Sequence, residues 1–221
     1  MPPDRFVEEL ARAWPELSRA LWERTTPKTF YRSWDGEVGA SGLAANVVGQ
    51  LSRPYVAAAF IRHLRGFRGR ILDFGCGTAT LSLAWQRDFA PNAHLYLADV
   101  NNLARRFVKW RLDKCPSRHV EMVATDLQVI PDGELDVLVC LDVLEHLPNP
   151  SEVFIAIERK LKHGGLLFIQ APWGGGFEHL AEAPIDWGKK GGAERLTLAF
   201  HRLSRLKPWG DLSGVFAKIA Q

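Results

Sequence analysis

Cysteine is scarce in this chain: three in 221 residues, Cys76, Cys115 and Cys140. None belongs to a CxxC pair, and an odd count argues against a disulfide framework. Cys76 and Cys140 stand in apolar surroundings, which reads as buried free thiols. The seven histidines show no metal-ligand spacing, so no metal is expected. No apolar run approaches the roughly 20 residues that span a bilayer. The opening MPPDRFVEEL is acidic and amphipathic, unlike a secretory signal, in which basic residues precede an apolar run. Repeats and low-complexity tracts are missing as well. Charge is close to balanced, at a net +3, which gives no reason to expect a polyanionic partner such as nucleic acid. Arg62, Arg65, Arg68 and Arg70 then read as a solvated face. What these absences leave is a globular protein of a reducing, cytoplasmic setting, long enough for one full core plus an extension.

From Arg70 onward, short apolar runs alternate with helical patterns. Strands are expected at 70–74, 94–99, 120–125, 135–141 and 166–171. LDVLVCL (135–141) is continuously apolar, as a strand covered on both faces must be. Between the strands, helices are expected near 79–88, 102–112 and 150–161. The last has Asn149 placed to cap it, Pro150 at its first position, and Gly164 and Gly165 to stop it. This alternation predicts an α/β fold with a parallel sheet and helices on both faces. The rhythm then changes. A short helix fits 192–200, and strands fit 201–206 and 215–220. The connection KPWGDLSG between them is too short for a crossover helix, so that pair is antiparallel.

Residues 1–66 read as a helical extension or lid, and 67–221 as the main domain. Phe6, Leu10, Trp14, Leu17 and Leu21 form an apolar stripe that Pro15 should kink or divide. A second helix fits 54–64. The stretch between them, with Gly36, Gly39 and Gly42, reads as irregular.

The most informative segment is RILDFGCGTATL (70–81): a strand, then an acid, then two glycines one residue apart. A dinucleotide site would carry GxGxxG, with pyrophosphate at the helix N-terminus. Here Thr80 stands in place of the third glycine, and Asp73 would bring negative charge against a pyrophosphate. A ligand with cationic groups and no phosphate suits the turn better.

In these features the chain resembles the class I S-adenosylmethionine (SAM)-dependent methyltransferases. Asp73-Phe74-Gly75-Cys76-Gly77-Thr78-Ala79 matches their first motif, with Ala79 where a third glycine is often found. LEHLPNP (144–150) is similar to the corresponding segment of the ubiquinone and menaquinone methyltransferases. The resemblance implies a Rossmann-like, doubly wound seven-stranded sheet with an antiparallel C-terminal strand, following an N-terminal helical extension. It implies SAM as cofactor and S-adenosylhomocysteine as product. It assigns Asp73, Gly75, Cys76 and Gly77 to the cofactor turn and Asp99, with Val100, to the ribose hydroxyls. Asp126 and the Leu127 amide fall to the adenine, and Leu141 ends the fourth strand beside the cofactor.

The acceptor is expected to be a small, apolar or aromatic molecule, with O-methylation favoured over C- or N-methylation. Aromatic residues concentrate in two loop segments: Tyr31 and Trp34 in the first, Trp173, Phe177 and Trp187 in the second. An acceptor hydroxyl must lose a proton, and histidine is the usual base near neutral pH. His146 and His179 both follow strands whose ends meet ligands in this fold. The alternatives are an RNA or protein methyltransferase, and a SAM-binding protein of the same fold that acts as a cyclase, decarboxylase or binding subunit.

Overall fold

The computed structural model describes residues 3–26, 29–171, 203–210 and 213–219. Three helices come first: α1 (Pro3–Trp22), α2 (Gly36–Leu51) and α3 (Pro54–Leu64). The alternating part runs β1 (Arg70–Phe74), α4 (Thr80–Phe89), β2 (His94–Ala98), α5 (Leu103–Lys114), β3 (Val120–Val123), β4 (Leu135–Leu141), α6 (Pro150–Lys160) and β5 (Leu161–Gln170). It ends in β6 (Leu203–Gly210) and β7 (Ser213–Lys218).

The strands form one sheet in the order β3-β2-β1-β4-β5-β7-β6. β1 to β5 pair in parallel, and β7 is antiparallel to both β5 and β6. Strand β6 lies at the sheet edge, the place in a sheet where a proline such as Pro208 is tolerated.

The apolar strands bury both faces. Ile71, Leu95, Leu97, Val137, Val139 and Phe168 pack on one side with Val56, Phe60 and Leu64 of α3 and Trp85 of α4. Leu72, Leu138, Cys140, Leu167 and Ile169 face the other way, toward Phe154 and Ile157 of α6. Successive side chains of a strand point to opposite faces, which is why neighbours such as Val137 and Leu138 join different cores. The Phe60 and Phe168 rings meet edge-on with centroids 4.9 Å apart, an arrangement worth about 0.5–1.5 kcal/mol beyond burial. Helix α3 is therefore part of the sheet's own core, although it precedes the first strand.

Four local expectations are corrected. The stretch expected to be irregular holds α2, a 16-residue helix. Two of its glycines are packing sites: a Cβ on Gly39 would lie 2.5 Å from Leu103 Cδ2, and one on Gly42 would lie 2.9 Å from Trp14. Pro15 does not divide α1, which runs through it. Helix α6 ends at Lys160, before Gly164 and Gly165, because Leu161 already pairs with Leu135 as the first residue of β5. Asn149 occupies the cap position of α6 without capping it; its Nδ2 donates to Glu152 Oε2 at 2.8 Å. The helix expected at 192–200 lies outside the described residues.

Candidate functional site

Strand order reverses between β1 and β4, and in open α/β sheets ligands sit at that reversal, outside the C-terminal strand ends. There a cavity of about 800 Å³ is lined by the ends of β1, β2 and β4, the loop after β3, and the N-terminal helices. It brings together every residue assigned above to the cofactor: Asp73, Gly75, Cys76, Gly77, Asp99, Val100, Asp126, Leu127 and Leu141. Tyr31, Trp34 and His146 line the same cavity. Trp173, Phe177, His179 and Trp187 lie outside the described residues.

The turn after β1 is tightly wound. Gly75 and Gly77 have φ of 72° and 53°, where an L side chain is strained. Ala79 follows with φ 50°, so the position that often holds a third glycine has the backbone conformation a glycine favours. Asp99 closes the turn from β2: its Oδ2 accepts from the Gly77 amide at 2.6 Å. Asn102 caps α5 by accepting from the Arg105 amide at 2.9 Å, and its Nδ2 donates to Asp99 Oδ1 at 3.4 Å. Arg105 bonds the carbonyls of Asp99 and Val123, tying β2 to β3.

The two inner acids titrate unusually. Asp73 is buried and pushed up to about 7, first by burial and further by the Asp99 charge; a hydrogen bond from the Ser82 hydroxyl opposes this. Burial likewise raises Asp99 to about 6, opposed by the Gly77 and Val100 amides, Arg105 and Asn102. Both folded values exceed the ordinary carboxylate value of 3.8. The folded state thus holds these protons more tightly than the unfolded chain does. Their contribution to stability is greatest at low pH and is lost as pH rises from about 4 to about 7. The ligand-free protein is expected to melt at higher temperature near pH 6 than near pH 8, with the difference reduced in Asp73→Asn; an unchanged pH slope in that variant would refute the assignment.

Asp126 is exposed at the cavity rim, its Oδ1 accepting from Gln128 N at 3.3 Å. The Leu127 amide, expected to face an adenine, donates instead to Ala124 O at 3.1 Å, within a turn where Leu127 has φ 53°. His146 sits half-buried on a 3₁₀ turn, Leu144–His146, that follows β4. Its ring lies 5.2 Å from that of Tyr31, edge to face, and its Nε2 is 3.9 Å from Glu145 Oε1. Tyr31 and Trp34 belong to an aromatic wall: Trp34 meets Trp14 at 4.8 Å, and Tyr31 packs on both Trp34 and Phe30.

Sequence reasoning missed four contributors. Ser82 lies in the first turn of α4 and donates back to Asp73. Arg53, at the α2–α3 junction, pairs with Asp142 at the end of β4, and both line the cavity. Asn46 and Gln50 of α2 bond the glycine turn directly.

The chain is similar in sequence and fold to known proteins. Residues 72–169 match the methyltransferase-domain family. A ubiquinone biosynthesis O-methyltransferase of Thiobacillus denitrificans is 33% identical over 102 residues, 45% of this chain and 43% of that protein. A thiol S-methyltransferase of Homo sapiens is 30% identical over 135 residues, 58% of this chain and 50% of that protein. The chain thus spans about half the length, or less, of these curated relatives. A SAM-dependent methyltransferase structure from Aquifex aeolicus has a similar fold, with TM-score 0.52 and 16% identity, covering 77% of this chain and 92% of that one. A protein from Methanococcus maripaludis, proposed to be such an enzyme, aligns with TM-score 0.56 and 17% identity over 92% of this chain and 94% of its own. The family match spans residues 72–169, which run from β1 to β5 and hold the acid–glycine turn, and the two solved structures share the fold. Among the described residues, no helix is long and apolar enough to cross a membrane.

Proposed function

We propose that the protein transfers the methyl group of SAM to a small apolar or aromatic molecule, with oxygen as the favoured acceptor atom. One observation carries this reading: the acids Asp73, Asp99 and Asp126 line the same cavity as Tyr31, Trp34 and His146. The cofactor half fits SAM because two carboxylates and a crowded glycine turn suit a cationic amino-acid end and a ribose, and disfavour phosphate. The acceptor half is apolar and aromatic, with His146 as a polar group at its wall. Two relatives bear names that place their methyl groups on oxygen and on sulfur, which supports a heteroatom acceptor.

SAM, when bound, supplies a methyl carbon already activated by its sulfonium. The protein's part is to hold the two reactants and exclude water. Asp99 holds the ribose hydroxyls: one carboxylate offers about four acceptor sites, the Gly77 and Val100 amides take two, and the ribose displaces the long 3.4 Å bond from Asn102 Nδ2. Asp73 faces the cationic amino-acid end, and the aromatic wall covers the acceptor. His146 or His179 takes the acceptor's proton.

The test is methyl transfer from labelled SAM to a panel of phenols, thiols and amines. In the His→Ala variant that removes the base, turnover should fall at least about a hundredfold while affinity for S-adenosylhomocysteine is unchanged. Binding of SAM without turnover on any acceptor, peptide or RNA would move the protein to a binding role. Affinity for SAM should rise as pH rises through about 6 to 7, because the cation requires charged carboxylates. That is opposite in sign to the stability trend, and a flat calorimetric profile across this range would count against it.

A further inference from the structure

The turn between β1 and α4 has its amides already taken. Those of Gly75 and Cys76 donate to Ala98 O, that of Gly77 to Asp99 and that of Ala79 to Cys76 O. Two more, at the start of α4, are taken from outside the alternating fold. The Thr78 amide donates to Asn46 Oδ1 at 2.9 Å, and the Leu81 amide donates to Gln50 Oε1 at 3.0 Å. The Thr78 hydroxyl also donates to Asn46 Oδ1, at 2.8 Å. Gln50 Nε2 completes the set, donating to Cys76 O at 3.1 Å and to Asn46 Oδ1 at 2.9 Å.

Asn46 and Gln50 stand four residues apart, one turn along the same face of α2. Asn46 also lies against Gly77: a Cβ there would come within 2.5 Å of Asn46 Oδ1. Unpaired amides at a helix N-terminus are what a nucleotide's pyrophosphate binds in related α/β folds.

We propose that Asn46 and Gln50 are positioning and specificity-determining residues. By occupying the Thr78 and Leu81 amides they take donors that a dinucleotide's phosphates would need, and by gripping Thr78, Leu81 and Cys76 they hold the turn in the shape that receives a phosphate-free cofactor. This rests on the reading of the cavity as a SAM site. It gives α2 a role beyond covering the acceptor, because the same helix follows directly on Tyr31 and Trp34.

Hydrogen exchange on the wild-type, ligand-free protein tests the first half, whatever the ligand is. The Thr78 and Leu81 amides should exchange slowly, and millimolar inorganic pyrophosphate should leave their rates unchanged. Fast exchange, or protection by pyrophosphate, would overturn the proposal. Calorimetry with S-adenosylhomocysteine tests the second half. Asn46→Leu should weaken binding at least tenfold, whereas Asn46→Asp, which keeps an acceptor for Thr78, should stay within about threefold of wild type. Equal affinity in wild type and Asn46→Leu, or equal loss in Asn46→Leu and Asn46→Asp, would refute it. If the wild type itself binds no S-adenosylhomocysteine, the SAM reading fails, while slow exchange at Thr78 and Leu81 would still establish the occupied amides.

Discussion

Replacing Asp99 by alanine is expected to weaken binding of S-adenosylhomocysteine by at least roughly a hundredfold. The side chain would hold two ribose hydroxyls, and hydrogen bonds to a charged group contribute about 1.5–3 kcal/mol each, with about 1.4 kcal/mol per tenfold in affinity. A second effect adds to the first. The same carboxylate clamps the turn through Gly77 N at 2.6 Å, so its removal frees an amide that shapes the site. Asp99→Asn keeps one acceptor oxygen and should fall between the alanine variant and wild type. Because Asp99 is itself raised to about 6, the alanine variant should also lose part of the pH dependence of binding. Calorimetry at two pH values reads both quantities, and an affinity for the alanine variant within threefold of wild type would rule out the ribose role.

Gly75→Ala should be the most damaging single methyl that can be added to the chain's cofactor turn. Two penalties coincide there. With φ at 72°, any side chain is in the left-handed region, at about 1–2 kcal/mol. The new Cβ would also lie 2.2 Å from Val143 Cγ2 and 3.1 Å from Val143 Cγ1. Val143 is β-branched and cannot swing aside cheaply, and overpacking of this kind costs about 1–3 kcal/mol. At about 2–4 °C per kcal/mol for a chain of this size, the melting temperature should fall by at least about 5 °C. The clash and the backbone strain are separable. Gly75→Ala with Val143→Ala should regain the part due to the clash and keep the part due to φ. A Gly75→Ala protein that melts within about 1 °C of wild type would show that the turn tolerates both.

The sheet was legible because a strand buried on both faces must be apolar along its length. Segments such as LDVLVCL leave few other solutions, and β1, β4 and α3 match their expected ranges residue for residue. Helix α2 was not legible. Four glycines disfavour a helix by intrinsic propensity, and the reason two of them are needed lies elsewhere in the chain. Gly42 packs against Trp14 and Trp34, and Gly39 against Leu103; none of these neighbours marks the local pattern. The same holds at the end of α6, where pairing of Leu161 with Leu135 overrode the glycines that follow.

The candidate site divides along a similar line. Asp73, Gly75, Gly77, Asp99 and Asp126 stand at strand ends, so once the alternation of strands and helices is read, their convergence follows from the topology. Asn46, Gln50, Arg53 and Ser82 carry no such mark. Amides, hydroxyls and arginines are common on helix surfaces. Ser82 gains its role from Asp73 across the glycine turn, and the others from partners distant in sequence: Thr78 is 32 residues from Asn46, and Asp142 is 89 from Arg53. The sequence by itself determined the layered sheet, the acid–glycine turn and the row of acids, since those depend on periodicity and on residues adjacent to strand ends. Only the tertiary structure decided which helix closes the turn, which amides are already spent and how far the two inner acids are raised. Those outcomes depend on burial and on contacts across dozens of residues, which no local pattern encodes.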